Sequence, residues 1–275
     1  MAKSKSRSGA GKNRFERYRY YELAVQSPEV TIDWLVGIFR ELRGRYPKRL
    51  REDFCGTFAL SSAWVKRNRK NSAICLDVDR DPLTYGKKKH WESLTRDQRT
   101  RLNPVMQNVL SVTHEKSDVV LACNFSFFIF KERAVLKSYL MYCLKSLGEK
   151  GMVVLELAGG PGMIEKTKDH KPIFSGGRRL FTYIWDQISF NPIRREAKYA
   201  IHFRLAGGKS LENAFTYAWR MWTIPEVREL LLEAGFSESL AYWETEHRGM
   251  PTGEFIRAEL GDNAYSWTAY VVGLK

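Results

Sequence analysis

Apolar residues first recur at helical spacing between Thr31 and Arg43, where Ile32, Leu35, Val36, Phe39 and Leu42 fall on one face. This predicts an amphipathic helix ahead of the first strand. From Leu50 the pattern changes to a short strand, a turn at Gly56, a helix over Ala59 to Arg67, and a second strand over Ala73 to Asp77. A helix over Leu83 to Leu94 follows Asp81-Pro82, since proline is tolerated in a first helical turn. Strands are then expected at Val105 to Val112, Asp118 to Cys123 and Met152 to Leu157, with a helix from Ala134 to Leu147 stopped by Gly148. Strands alternating with helices imply a parallel sheet with right-handed crossovers.

Beyond Leu157 the pattern turns aromatic and alternating. Tyr199 to Leu205 and Ala214 to Trp222 alternate about a Gly207-Gly208 turn, which predicts an antiparallel insertion or lid over about residues 163–223. A helix from Pro225 to Ala234 and two strands, Ser239 to Trp243 and Trp267 to Gly273, close the chain as a terminal antiparallel hairpin.

Composition narrows the class. With 275 residues, 44% hydrophobic and 28% charged, the chain is expected to form a soluble domain with a full core. It contains no apolar run near the roughly 20 residues of a membrane span. The basic N-terminus lacks an apolar stretch, so a cytoplasmic protein is the expectation. Cys55, Cys75, Cys123 and Cys143 lack metal-ligand spacing and read as small buried hydrophobes, and no metal site is expected. The net charge is +14, of which Met1 to Tyr20 supply +6. Residues 1–19 are expected to be a basic flexible tail and 20–275 a single domain. Such a tail suits RNA or anionic lipid headgroups, or is simply a disordered solubilising end.

The segment Leu50-Arg51-Glu52-Asp53-Phe54-Cys55-Gly56-Thr57-Phe58, followed by Ala73-Ile74-Cys75-Leu76-Asp77-Val78-Asp79, is a strand, a glycine turn, a helix and a strand ending in a carboxylate. In open α/β sheets, ligands bind at the carboxyl ends of strands where the strand order reverses. The glycine lets backbone approach a ligand, and the acid can hold a ribose diol. The residues therefore point to a nucleoside-bearing cofactor, with Asp77 accepting ribose hydroxyls or, alternatively, capping the next helix. A dinucleotide oxidoreductase would want Gly-x-Gly-x-x-Gly here, which the chain lacks.

Glu-Asp-Phe-Cys-Gly-Thr, followed by Leu-Asp-Val-Asp-Arg-Asp-Pro-Leu, resembles the first two motifs of class I S-adenosylmethionine-dependent methyltransferases, in a bacterial branch without the usual Asp-x-Gly-x-Gly-x-Gly. The resemblance implies a seven-stranded Rossmann-like sheet, mostly parallel, and S-adenosyl-L-methionine as cofactor. It puts Glu52 in the acidic place, Gly56 at the central glycine, and Phe54 and Phe58 where the other glycines would be. It also implies cofactor contacts from Cys55, Val78, Asn108, and Asn124 with Phe125. Tyr21 and Gln26, in Tyr-Glu-x-x-Val-Gln, match a segment that closes over the cofactor. Asn124 also reads as a cap for the next element, Asn108 as a surface-turn residue, and Tyr21 and Gln26 as packing residues.

In the aromatic insertion, Asp186 and Gln187 are the expected substrate-side pair, and His202 is a further candidate to assist proton loss. The expected activity is methyl transfer to a nitrogen or oxygen of an unidentified acceptor, preferably a small molecule. The alternatives are an RNA methyltransferase using the basic tail, and a non-catalytic cofactor-binding module in which Phe54 and Phe58 obstruct the site.

Overall fold

The structure, a computed structural model, describes residues 7–247 and 250–275. Its first element is a helix, α1 (Arg7–Val25). The expected flexible tail is thus helical from Arg7, while Met1 to Ser6 lie outside the described residues. The reason is an aromatic stripe at its end. Tyr18 is buried, the Tyr20 ring lies 4.8 Å from that of Phe181, and the Tyr21 ring lies 5.0 Å from that of Phe215. Helix α2 (Pro28–Arg43) starts on its proline and stops at Gly44, whose φ is +67°.

The central layer then forms from β1 (Arg49–Asp53), α3 (Ala59–Arg67), β2 (Ser72–Asp77), α4 (Arg80–Lys89), α5 (Arg96–Thr100), β3 (Leu102–Met106), β4 (Ser117–Ala122), α6 (Arg133–Ser146) and β5 (Leu147–Gly159). Strand β3 lies earlier than the expected 105–112. Pro104 is tolerated there because β3 is the sheet edge, pairing only with β2. After β5 come β6 (Lys168–Ser175), β7 (Arg178–Asn191), β8 (Glu196–Leu205) and β9 (Ser210–Arg220), a separate four-stranded antiparallel sheet in the region expected to be a lid. Helix α7 (Ile224–Glu233), β10 (Glu238–His247), β11 (Met250–Arg257) and β12 (Trp267–Leu274) complete the chain.

The main sheet has eight strands, ordered β11-β10-β12-β5-β4-β1-β2-β3, rather than the expected seven. The terminal antiparallel pair exists as β10 with β12, Tyr242 facing Tyr270. It is not a simple hairpin, because β11 intervenes and covers the outer edge of β10. Strand β11 is mostly exposed and contains Pro251 and Gly253, so it gives no apolar signal.

Two apolar layers sandwich the sheet. One packs α2 and α3 through Phe39, Leu35 and Trp64. The other packs α6 and α7 through Leu136, Leu140 and Leu231, and takes in Tyr199 and Trp219 of the four-stranded sheet. Strand order reverses between β1 and β4, which opens a crevice at their carboxyl ends. Among the described residues, no helix is long and apolar enough to cross a membrane.

Candidate active site

The turn after β1 is built against side-chain preference. Phe54, Gly56 and Phe58 have φ of +55°, +53° and +48°. Phe54 and Phe58 therefore hold the left-handed backbone that glycine favours, at a cost of about 1–2 kcal/mol each. Their rings compensate. Phe58 is fully buried and sits edge-on to His90, and Phe54 lies 5.8 Å from Phe130 and 5.9 Å from Tyr139. Gly86 of α4 is required underneath, since a Cβ there would collide with the Thr57 carbonyl and the Phe58 ring. The Asp77 carboxylate fixes the turn, accepting the Gly56 N–H and the Asp79 N–H at 2.8 Å each.

This turn forms one wall of a cavity of about 450 Å³ at the strand-order reversal. Of the expected cofactor contacts, the structure brings Tyr21, Gln26, Glu52, Phe54, Cys55, Gly56, Asp77 and Asn124 together around it. Phe58, an obstruction only in the binding-module alternative, is not among its walls. Helix α1 and strand β9 form the opposite side. Arg17 donates to the Ala214 carbonyl at 3.2 Å, and the Tyr21 and Tyr217 hydroxyls interact. Glu22 anchors α1 to the turn by accepting from Thr57 Oγ1 at 2.6 Å and contacting His90 Nε2 at 2.7 Å. Gln26 Oε1 is buried without a partner among the described residues, an unmet acceptor in a cavity wall.

Carboxyl groups gather at the floor, with Glu52, Asp53 and Asp77 in the wall and Glu156 behind Asn124. Glu52 Oε2 accepts both the N–H and the hydroxyl of Ser61, so neither bond uses Oε1. Burial raises the Glu52 pKa to about 7 against the pull of Ser61. Glu156, on β5, accepts the Asn124 N–H at 2.6 Å, and burial raises it likewise to about 7. Burial also raises Asp77 and Asp53. Asp53 is held by Arg51 Nε at 2.7 Å and the Tyr139 hydroxyl at 2.9 Å, and Arg51 also donates to Ser146 Oγ and to the Val109 and Ser111 carbonyls at 2.8 Å each. A ligand carrying a cationic group and a diol fits this donor and acceptor set.

Other expected residues stand elsewhere. Val78 is mostly exposed, and the Asn108 side chain accepts the Leu110 N–H at 2.9 Å, closing a local turn outside the cavity. Phe125 turns into a neighbouring cleft. Asp186, Gln187 and His202 border neither space. Gln187 Nε2 donates to the Gly162 and Glu165 carbonyls at 2.6 and 2.7 Å, locking the loop before β6. Strand alternation turns Asp186 away from Trp185, toward Lys168 Nζ at 2.8 Å and His202 Nε2 at 3.2 Å. His202 Nδ1 lies 2.9 Å from the Asn213 nitrogen and 2.7 Å from Glu212 Oε2, so the ring sits between the carboxylates of Asp186 and Glu212. Two aromatic residues of the insertion, Tyr217 and Trp219, line the cavity. Sequence reasoning missed Arg17 and Glu156; the signal for Glu156 was a lone charge inside an apolar strand. Among the described residues, no group of three or more His, Cys, Asp or Glu is arranged to hold a metal ion.

No protein-family model matches the chain, and no curated protein does. Solved structures do match. The chain is similar to CalS10, an amino pentose methyltransferase from Micromonospora echinaspora solved with S-adenosylmethionine bound, at 14% identity and a TM-score of 0.65 over 100% of both chains. It is similar to an S-adenosylmethionine-dependent methyltransferase from Clostridium acetobutylicum, at 13% identity and a TM-score of 0.66 over 95% of this chain and 98% of that one. It is also similar to the sugar N-methyltransferase KedS8 from Streptoalloteichus, at 16% identity and a TM-score of 0.62 over 100% of this chain and 96% of that one. The chain shares the α/β fold of these S-adenosylmethionine-dependent methyltransferases, with its mostly parallel central sheet and antiparallel strands.

Proposed function

We propose that the protein is an S-adenosylmethionine-dependent methyltransferase acting on a nitrogen or oxygen of a small molecule. One observation carries this reading: the cavity at the β1/β4 reversal joins a left-handed turn at Gly56, the carboxylates of Glu52 and Asp77, and the unmet acceptor of Gln26. Asp77 suits the ribose hydroxyls. Glu52 Oε1 and Gln26 Oε1 suit an ammonium. Bound there, the cofactor supplies an already activated methyl group on a sulfonium. The chain's task is then to align the acceptor and exclude water.

Two points favour a small acceptor over a polymer. Helix α1 and strand β9 meet through Arg17 and Tyr21 and wall the cavity opposite the Gly56 turn, which narrows the space left for an acceptor. CalS10 and KedS8, which share the fold, act on amino pentose and sugar substrates. The obstructed-module alternative loses part of its basis, because Phe58 packs into the core and only Phe54 borders the cavity.

The test is calorimetric titration with S-adenosylmethionine. Saturable binding by the wild type, weakened about tenfold or more by Asp77→Ala through loss of charge-assisted hydrogen bonds, is expected. Absence of binding by a folded wild type would overturn the reading.

A further inference from the structure

Beside the cofactor cavity lies a second cleft of about 300 Å³, at the carboxyl end of β5 between the main sheet and the lid. Its walls include Phe125, Trp185, Trp243 and Trp267, with the carboxylates of Glu244 and Glu246. The chain carries +14 overall, yet among the described residues no Lys or Arg lines this cleft. Among the described residues, neither glutamate has an ion-pair partner within 4.0 Å. Glu244 is half-buried and accepts the Gly253 N–H at 3.1 Å, which holds its carboxylate in place. The Trp243 and Trp267 rings lie 5.1 Å apart and make one aromatic face. Aromatic faces and fixed carboxylates together attract an organic cation, and repel a phosphate or carboxylate ligand.

The cleft adjoins the cofactor cavity. Phe125 borders the cleft and the preceding Asn124 borders the cavity. The Trp185 ring lies 6.1 Å from Tyr217 and 6.2 Å from Trp219, both walls of the cavity.

We propose that this cleft is the acceptor subsite and that it takes a small organic amine, protonated at neutral pH. The proposal rests on the methyltransferase reading above. The acceptor ammonium gives one proton to water, and the cleft carboxylates stay charged. The freed lone pair forms the N–C bond as the C–S bond of the cofactor breaks, and that bond's electron pair stays on sulfur. The products are a neutral thioether and an N-methylammonium.

The experiment compares cyclohexylamine with cyclohexanol, probes of one shape and different charge, by calorimetry at pH 7.5 with and without S-adenosylhomocysteine. The amine is expected to bind at least about tenfold more tightly than the alcohol. Glu244→Gln, and separately the exposed Glu246→Gln, should each reduce that preference while leaving S-adenosylhomocysteine affinity unchanged. Equal binding of the two probes, or an undiminished preference in both folded variants, would overturn the proposal. A short single-stranded RNA bound more tightly than the amine, and displaced by it, would also overturn it. S-adenosylhomocysteine binding is read separately, so its absence would count against the methyltransferase reading, while the amine preference is still measured on the protein alone.

Discussion

Glu52 offers a quantitative test of the cofactor reading. Its ordinary carboxyl pKa of 4.5 is raised to about 7 by burial, with Ser61 pulling the other way and Asp77 adding to the rise. In the ligand-free protein at pH 6, the side chain is therefore about nine-tenths protonated. A bound ammonium beside Oε1 stabilises the carboxylate and returns the pKa toward 4.5. Binding at pH 6 should then release about 0.9 proton, Glu52's share falling to about 0.5 at pH 7 and about 0.1 at pH 8. The cofactor's own amine stays charged at pH 6, so it does not mask the count. Apparent affinity should weaken by up to about tenfold per pH unit below pH 7, the full 2.5-unit return corresponding to about 3 kcal/mol. Calorimetry of S-adenosylmethionine binding in phosphate and in a buffer of larger ionisation enthalpy gives the proton count directly. Glu52→Gln should bring it near zero at pH 6. No net release from the wild type, or the same release from Glu52→Gln, would refute the reasoning.

The same groups set a stability trend. Glu52 and Glu156 have folded pKa values raised to about 7, above the unfolded carboxyl value, so the folded state holds protons that the unfolded state has given up. Stability of the ligand-free protein should fall as pH rises from about 4.5 to about 7 and level off above; a melting temperature rising steadily across that window would contradict this. The lowered carboxyls Asp118 and Glu226 act oppositely, but only at more acidic pH, as they become protonated. Asp53→Asn should destabilise by about 3–5 kcal/mol, because it leaves the fully buried Arg51 without its counter-charge. Urea unfolding measures that loss, and a change under 1 kcal/mol would show that the pair is dispensable. Phe58→Gly relieves about 1–2 kcal/mol of backbone strain but deletes a fully buried ring worth about 3–5 kcal/mol. It should lower stability without tightening cofactor binding, and tighter binding on titration would revive the obstructed-site idea.

The sheet and the cofactor crevice were legible because their signals are local. A strand, Gly56, a helix and a strand ending in Asp77 lie within thirty residues of one another. Phe54 and Phe58 looked like departures from a glycine-rich turn, yet their backbones adopt the left-handed form that the glycines would have supplied. A sequence pattern reports the residue, not the φ it is forced into. What stayed illegible depends on distant packing. Helix α1 forms against Phe181 and Phe215, about 160 to 200 residues away, so its basic, Ser/Gly-rich start reads as a tail. Strand alternation places Asp186 and His202 on a common face, but only the docking of the lid decides that Tyr217 and Trp219 face the cavity. Glu244 carries no local mark, because its meaning comes from Trp267 and Thr268 across the β10/β12 pair.

The carboxylates of the second cleft bear on nitrogen against oxygen as the acceptor atom. Transfer to a neutral amine moves positive charge from sulfur onto nitrogen, where it stays in the product. Transfer to an alcohol ends with a neutral ether once the hydroxyl proton is gone. A fixed carboxylate beside the acceptor therefore stabilises charge that develops in the transition state for nitrogen, and gives no lasting gain for oxygen. Burial raises the Glu244 carboxyl, which the Gly253 N–H and Thr268 hold against that rise, so it is partly desolvated and fixed in place beside a nearby nitrogen. Glu244→Gln should then lower kcat for an amine acceptor by about tenfold or more, beyond any rise in KM, since the interaction strengthens as the N–C bond forms. A variant that raised KM with kcat unchanged would mean that Glu244 binds the ground-state cation and contributes nothing further to the transfer.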